Sequence, residues 1–199
     1  DMEQVTKLAF MFTSSEIYDI ANPQRVVTPT MTKLTYKCDT TVTGGKIPLV
    51  SAYGYETWND GIGKPVNGGS GLMSKTLQAG VEYTAIFEGT YNSFNAEYQA
   101  ATKLLAPCLR RVDGWGDAVN VSNVNRAFFN STNLTRVPAN LPSTVRTADY
   151  MFNGANNFND PNVSNWNTTK ITGMSYMFYG ATNFNQPLNN WDTTNVLEM

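Results

Sequence analysis

Apolar residues recur with one fixed spacing through the C-terminal half of the chain. The clearest copy is Ile171-x-x-Met174-x-x-Met177-Phe178. The same frame begins at three further positions, Val121, Val145 and Val196. Self-similarity at a period of about 20–29 residues is typical of proteins whose repeats stack to bury one continuous core. The spacing therefore predicts a short solenoid in which each repeat supplies a short strand and one helical turn.

Apolar and polar residues alternate in the middle of the chain, as they do in half-buried strands. Leu34, Tyr36 and Cys38 form one such series, and residues 81–87 form another. Glycine-containing turn signals separate these series, which predicts a small β-sandwich. A joining strand is expected over residues 104–115, where it would cap the solenoid.

The predicted fold class is mainly β with short helices: a small β-sandwich followed by a short leucine-rich-repeat-like solenoid. The predicted boundaries give an N-terminal segment at residues 1–25, the sandwich at 26–107 and the solenoid at 108–199.

Composition supports an ordered repeat. Of 23 Asn in the chain, 18 lie from Asn120 onward, and that part carries only eight charged side chains. A disordered segment would have few aromatic residues and a high net charge, whereas Phe, Tyr and Trp recur through this one. The Asn and aromatic residues are expected to fill and stack the core. The alternative is that some are exposed and form a carbohydrate-binding face.

Several function classes are disfavoured by the residues that are missing. The chain has no histidine, which removes the commonest general base and transition-metal ligand. Its net charge of −2 argues against an electrostatic nucleic-acid binder. No apolar run approaches the roughly 20 residues that span a bilayer. We therefore expect a protein that is not an enzyme, has no metal or cofactor, binds no nucleic acid and does not span a membrane.

The two cysteines leave two alternatives. Cys38 and Cys108 form a disulfide if the protein is extracellular, or remain as buried free thiols if it is not. The sequence does not decide between them.

The apolar frame also occurs near the N-terminus. Val5, Leu8, Met11 and Phe12 match it position for position. At the other end, Trp191, Val196 and Met199 begin one more copy. In one explanation the chain is a segment of a longer array, or the match is chance. In the other, the N-terminal segment of one subunit docks on the last repeat of another and builds a head-to-tail polymer.

A known family shares this pattern. The stretch from Trp166 through Phe184-Asn185-Gln186-Pro187-Leu188 to Trp191 resembles the BspA-like bacterial surface protein repeat, a leucine-rich-repeat type. Residues 55–61 and 80–89 resemble strands of PKD-like sandwich domains, which often precede such repeats.

This resemblance implies an extracellular, cell-surface or virion-surface module with no catalytic residues. Its expected role is structural or adhesive, through contacts with a protein partner that includes copies of itself. The alternative is a carbohydrate-binding module that takes a glycan on exposed aromatic and Asn faces.

Overall fold

The computed structural model describes residues 31–67, 74–97, 99–116 and 121–199. This part of the chain is mainly β, with one short α-helix and open sheets, and the mainly β prediction is confirmed. The strands are β1 (Met31–Lys37), β2 (Val42–Gly45), β3 (Leu49–Val50), β4 (Tyr53–Trp58), β5 (Gly63–Asn67), β6 (Lys75–Leu77), β7 (Glu82–Thr90), β8 (Ser93–Phe94) and β9 (Leu109–Val112).

Five antiparallel strands form the largest sheet, in the order β5-β4-β7-β1-β9. Two smaller sheets pair β2 with β6 and β3 with β8. Ala85 and Phe87 are the alternate buried residues of β7, whereas on β1 Leu34 and Tyr36 are buried together with Thr35 between them. The alternation read from the sequence therefore marks the buried face of this sheet.

The connection between the sheet and the repeats differs from the predicted joining strand. Helix α1 (Ala100–Leu105) and a 3-10 helix (Ala106–Cys108) come first, and only β9 is extended. At the start of the helix, the Thr102 Oγ1 accepts a hydrogen bond from the N–H of Gln99, the residue that precedes the helix. Pro107 lies at the start of the 3-10 helix, where its missing N–H costs nothing.

Cys38 and Cys108 form a disulfide in the structure, with their Cα atoms 4.5 Å apart. Cys38 directly follows β1 and Cys108 directly precedes β9, and these two strands pair with each other. The covalent bond thus ties together the strand ends at one side of the large sheet.

Successive repeats lie side by side in parallel register. We define repeat 1 as residues 121–144, repeat 2 as 145–170 and repeat 3 as 171–195; residues 196–199 begin a further repeat. Isolated parallel bridges join Asn123 to Thr147, Thr147 to Gly173, and Gly173 to Glu198. Each bridge is followed by a hydrogen-bonded turn, as where the Met151 N–H donates to the carbonyl of Ala148. The predicted strand of each repeat is thus reduced to a single bridging residue.

The apolar frame faces inward in all three repeats. Its residues are buried, including Val121 and Phe128 in repeat 1, Val145 and Phe152 in repeat 2, and Ile171 in repeat 3. The exception is Phe178 in repeat 3, which is half-buried. Aromatic rings stack from one repeat to the next, and these stacks continue the buried core from repeat to repeat. The predicted boundary after residue 107 stays a prediction, since one connected core runs from Leu34 to Met177.

Two positions in each repeat have a left-handed backbone. The first is held by Arg126, Tyr150 and Tyr176, with φ between 53° and 58°. The second is held by Asn130, Gly154 and Gly180. A non-glycine residue pays a steric penalty at positive φ, so its recurrence at one position shows that the turn itself requires this conformation.

The described residues of 31–112, which hold strands β1–β9 and which we call the β domain, cover one end of the repeats. Ser93 of β8 bridges to Asn123, and Arg111 of β9 bridges to Arg136, so two strands pair with repeat 1. Phe94 and Trp115 pack over the Phe128 ring, with ring centroids 5.4 and 5.9 Å from it. We call this the closed end.

Candidate interaction edge

Repeat 3 presents backbone donors at the end opposite to the closed end. In repeat 2 the N–H groups of Tyr150, Phe152 and Gly154 donate to carbonyls of repeat 3, each at 2.8 Å. The equivalent N–H groups in repeat 3 belong to Tyr176, Phe178 and Gly180. Among the described residues, no group accepts from these three donors. We call this row the open edge.

Apolar side chains line the same edge. Phe178, Phe184 and Trp191 are half-buried, whereas their counterparts Phe152, Phe158 and Trp166 in repeat 2 are fully buried. Phe178 and Phe184 are parallel to the repeat-2 rings beneath them, with centroids 5.3 and 5.8 Å apart. Phe178 and Phe184 also stack on each other at 4.1 Å, and as half-buried residues both keep exposed ring surface. Burial of such surface is favourable by about 25 cal/mol per Å².

Tyrosines extend this surface along one side. Tyr176 stacks on Tyr150 at 5.2 Å, and the guanidinium of Arg126 lies 4.8 Å from the Tyr150 ring centre. Tyr179 meets Tyr176 edge-on, and these two rings are 68% and 58% exposed. The left-handed position of each repeat therefore carries a flat group that stacks on the one before.

Polar side chains repeat along another side. Asn157 donates to Asn133, and Asn183 donates to Asn157, through their side-chain amides. The side chains of Asn125 and Asp149 each accept an N–H from the following repeat, at 2.9 Å. The same backbone contact is thus made by an uncharged amide at Asn125 and by a carboxylate at Asp149.

The residues singled out in the sequence fall in three places. Val5, Leu8, Met11 and Phe12 lie outside the described residues. Trp191 and Val196 are half-buried at the open edge, and the Trp191 indole donates to the carbonyl of Val163 at 2.8 Å. Met199 is 80% exposed. Sequence reasoning missed Tyr176, Tyr179 and the three free donors, although comparing equivalent positions of neighbouring repeats would have located them.

The carboxylates of the β domain have structural contacts. Glu56 is fully buried and accepts from the Trp58 indole at 2.6 Å. Burial raises the pKa of Tyr36 well above its usual range, and the negative charge of Glu56 raises it further. Asp60 forms an ion pair with Lys75 at the surface. The part of the chain that the structure describes holds no group of three side chains suited to a metal ion.

No helix within the described ranges is both long enough and apolar enough to cross a membrane. The described residues form a mainly β protein in which one end of the repeats is covered, and none of these residues covers the other end.

Residues 90–199 match the family described as Mycoplasma protein of unknown function, DUF285. This match covers more than half of the chain, and the chain belongs to that family. It begins at Thr90, the last residue of β7, so it includes β8 and β9, the two strands that pair with repeat 1, as well as the repeats themselves.

The family assignment made from the sequence is therefore wrong. The matching family is DUF285, and the BspA-like and leucine-rich-repeat families, with the PKD-like sandwich that accompanies them, are not supported. The physical reason is that any stack of short repeats needs Phe and Met at fixed buried spacings and Thr and Asn in its turns. That pattern is set by packing and does not specify a family.

None of the curated proteins and none of the solved structures compared with the chain is significantly similar to it.

Proposed function

We propose that the chain is a non-enzymatic structural module that makes protein–protein contacts and self-associates head to tail. The observation that carries this proposal is the open edge. Tyr176, Phe178 and Gly180 each offer a backbone donor there, beside half-buried aromatic rings. Unpaired edges of this kind are templates for pairing with another chain. Contact between one copy's open edge and a different surface of the next copy is heterologous and gives rings or filaments.

The architecture we propose is a small sandwich followed by a short solenoid. The parallel bridges and stacked rings of repeats 1–3 support the solenoid, and the buried face of the five-stranded sheet supports the sandwich. In a solenoid each repeat contacts only its neighbours. A further repeat, or a segment of another chain that resembles one, can therefore pack on the uncovered end.

The proposed location is extracellular, on a cell or virion surface. Disulfides persist in oxidising compartments, and the Cys38–Cys108 bond supports such a location. The test is to label free thiols of the protein in its native setting under denaturing conditions. An extracellular protein leaves Cys38 and Cys108 unlabelled until a reductant is added, and immediate labelling of both would oppose this location.

Self-association is tested by light scattering and negative-stain imaging over a concentration series. Mass that rises with concentration, and that falls to the monomer value when residues 1–22 are deleted, supports the proposal. Phe178→Asp, which places a charge on the open edge, should act like the deletion. Tyr53→Asp is the control for the added charge, because Tyr53 is an exposed aromatic residue that lies on β4. A constant monomer mass in all four proteins would contradict it.

Carbohydrate binding is a second candidate, and the exposed rings of Tyr176 and Tyr179 favour it. Aromatic faces of this size provide large apolar area with a polar hydroxyl at the rim. A glycan array would show saturable binding that Tyr179→Ala removes and Tyr53→Ala leaves intact. Equal binding by both variants would contradict a site at these tyrosines.

A further inference from the structure

We infer that residues 9–18 of a second copy fill the open edge, in a single register that stacks Phe10 on Tyr176, Phe12 on Phe178 and Tyr18 on Phe184. This inference rests on the proposed function, because it names the occupant of the same edge.

The sequence match is longer than the apolar frame alone. Aligning Val5 with Ile171 also aligns an aromatic residue with each of the three rings that repeat 3 presents. Those pairs are Phe10 with Tyr176, Phe12 with Phe178, and Tyr18 with Phe184. Other positions differ, among them Thr13 for Tyr179, Ser14 for Gly180 and Ile17 for Asn183. Repeat 1 carries Asn130 where Gly180 stands, so that left-handed position accepts a residue with a Cβ.

Backbone pairing fixes the same register. The Tyr150 N–H donates to the carbonyl of Ser175. Tyr150 is aligned with Tyr176, so the acceptor is the residue just before the aligned partner. By this rule the three free donors of Tyr176, Phe178 and Gly180 meet the carbonyls that precede their aligned partners. These are the carbonyls of Ala9, Met11 and Thr13. A shift by one residue would lose the ring pairing and the donor pairing together.

Ring stacking supplies the side-chain contacts of this register. Each row already contains a parallel pair: Tyr150 on Tyr176 at 5.2 Å, and Phe158 on Phe184 at 5.8 Å. Phe10 and Tyr18 would continue these two rows by one ring each. Aromatic pairs add about 0.5–1.5 kcal/mol beyond the area that they bury.

The first residues of the matching segment are left outside the edge. The Met174 N–H already donates to the carbonyl of Glu198, and the Leu197 N–H donates to Thr172. Val5 and Leu8 align with Val196 and Met199. Residues 196–199 of the same chain therefore already occupy the place on repeat 3 that Val5 and Leu8 would take. The register thus assigns the contact to residues 9–18, continuing the row that residues 196–199 begin.

A second copy is inferred from where the described chain begins. β1 pairs with β9, and β9 bridges to Arg136 in repeat 1, so Met31 lies toward the closed end. A neighbour's segment seated on the open edge therefore brings the closed end of one copy to the open edge of the next. The 12 residues between Tyr18 and Met31 are long enough to span about 40 Å, so docking on the same chain is the alternative, and the cross-linking below distinguishes the two.

The test is disulfide cross-linking between two full-length chains that each carry one added cysteine. The register aligns Ala9 with Ser175 and Glu16 with Thr182. Mixing Ala9→Cys with Ser175→Cys, or Glu16→Cys with Thr182→Cys, should give covalent dimers on mild oxidation. The crossed mixtures are the matched controls. Matched pairs should give about tenfold more dimer, because a disulfide needs Cα atoms about 4.4–6.8 Å apart.

The outcomes separate this inference from the proposed function. Equal cross-linking in matched and crossed mixtures, with mass still rising with concentration, overturns the register and leaves head-to-tail association standing. Cross-linking only when Ala9→Cys and Ser175→Cys share one chain overturns the second copy. A constant monomer mass overturns both. Val5→Asp should retain association and Phe12→Asp should abolish it; the reverse overturns the assignment to residues 9–18.

Discussion

Single polar side chains join one repeat to the next. Asp160 is nearly buried, and its carboxylate accepts the Val137 N–H from repeat 1 at 2.8 Å and the Asn162 N–H of its own repeat at 3.1 Å. The Trp166 indole likewise donates back to the carbonyl of Pro138. Such contacts satisfy buried backbone groups that the isolated bridges leave unpaired.

Asp160→Ala should destabilise the protein by about 1–3 kcal/mol, because it leaves the buried Val137 N–H without an acceptor. Urea unfolding measures the change. Asp39→Ala is the control, since the Asp39 side chain is 80% exposed and its ion pair with Arg110 should contribute little. Equal midpoints for the two variants would contradict the assigned role of Asp160.

The surface ion pair of the β domain predicts a pH dependence. Burial raises the pKa of Asp60, but hydrogen bonds from Lys75 and from the Ile62 N–H outweigh it and lower the pKa overall. A lowered pKa contributes stability above the unfolded value of about 3.9, and that contribution disappears as pH falls through the folded value.

Asp60→Asn should therefore unfold at lower urea than the unchanged protein near pH 6. The difference between the two midpoints should shrink as pH falls below about 3.9, and it should disappear once pH has passed through the lowered pKa of Asp60. A difference that is constant or grows as pH falls would contradict this account of Asp60.

At the scale of the element, the repeat is a bridge, a turn and an inward row of rings. The burial of a repeat increases with the number of its neighbours. Within the part of the chain that the structure describes, repeat 2 is covered on both sides and repeat 3 on one. Phe152 has neighbouring rings on both sides, Phe128 and Phe178, with centroids 5.2 and 5.3 Å away. Stability should therefore differ between equivalent positions of different repeats.

Phe152→Ala should cost about 3–5 kcal/mol, the range for a large side chain removed from a filled core. Phe184→Ala should cost clearly less, because Phe184 is only half-buried. Urea unfolding at low protein concentration measures both without the contribution of self-association. Equal costs would show that the open edge is covered even in the monomer.

The disulfide acts on another element, the β1–β9 pair. It closes a loop with a sequence separation of 70 residues, and restricting the unfolded chain in this way stabilises by about 2–4 kcal/mol. Replacing Cys38 and Cys108 by Ser should lower the unfolding midpoint, and a reductant should lower that of the unchanged protein similarly. If neither lowers the midpoint, the disulfide does not restrict the unfolded chain.

Particular elements show what the sequence could predict. The frame that contains Ile171 and Met174 has one strong periodicity, and its burial followed directly. The sequence predicts a strand from Leu104 to Trp115, but the structure has helical turns at the start of this segment. The Thr102 hydrogen bond lies at the start of the first helix, and Pro107 lies at the start of the second. Local capping interactions determine that this segment begins with helical turns. The sequence signal of such capping is weaker than that of a repeated apolar spacing. The exposure of Tyr176 depends on which repeat lies next to it, a property of the stack rather than of the residue.

The whole molecule is asymmetric along its repeats. β8 and β9 supply backbone partners and rings to repeat 1 at the closed end. Repeat 3 has half-buried rings and unpaired donors at the open edge, among the residues that the structure describes. An asymmetric stack of this kind favours addition at one end, which is the basis of the proposed head-to-tail contact.

Hydrogen exchange at the open edge tests this claim most directly. The amides of Tyr176, Phe178 and Gly180 should exchange slowly at high protein concentration and faster on dilution or when residues 1–22 are deleted. The equivalent amides of Tyr150, Phe152 and Gly154, already bonded within the chain, should stay protected throughout. If the three edge amides exchange at the same rate under all these conditions, the open edge is not where copies of this protein meet.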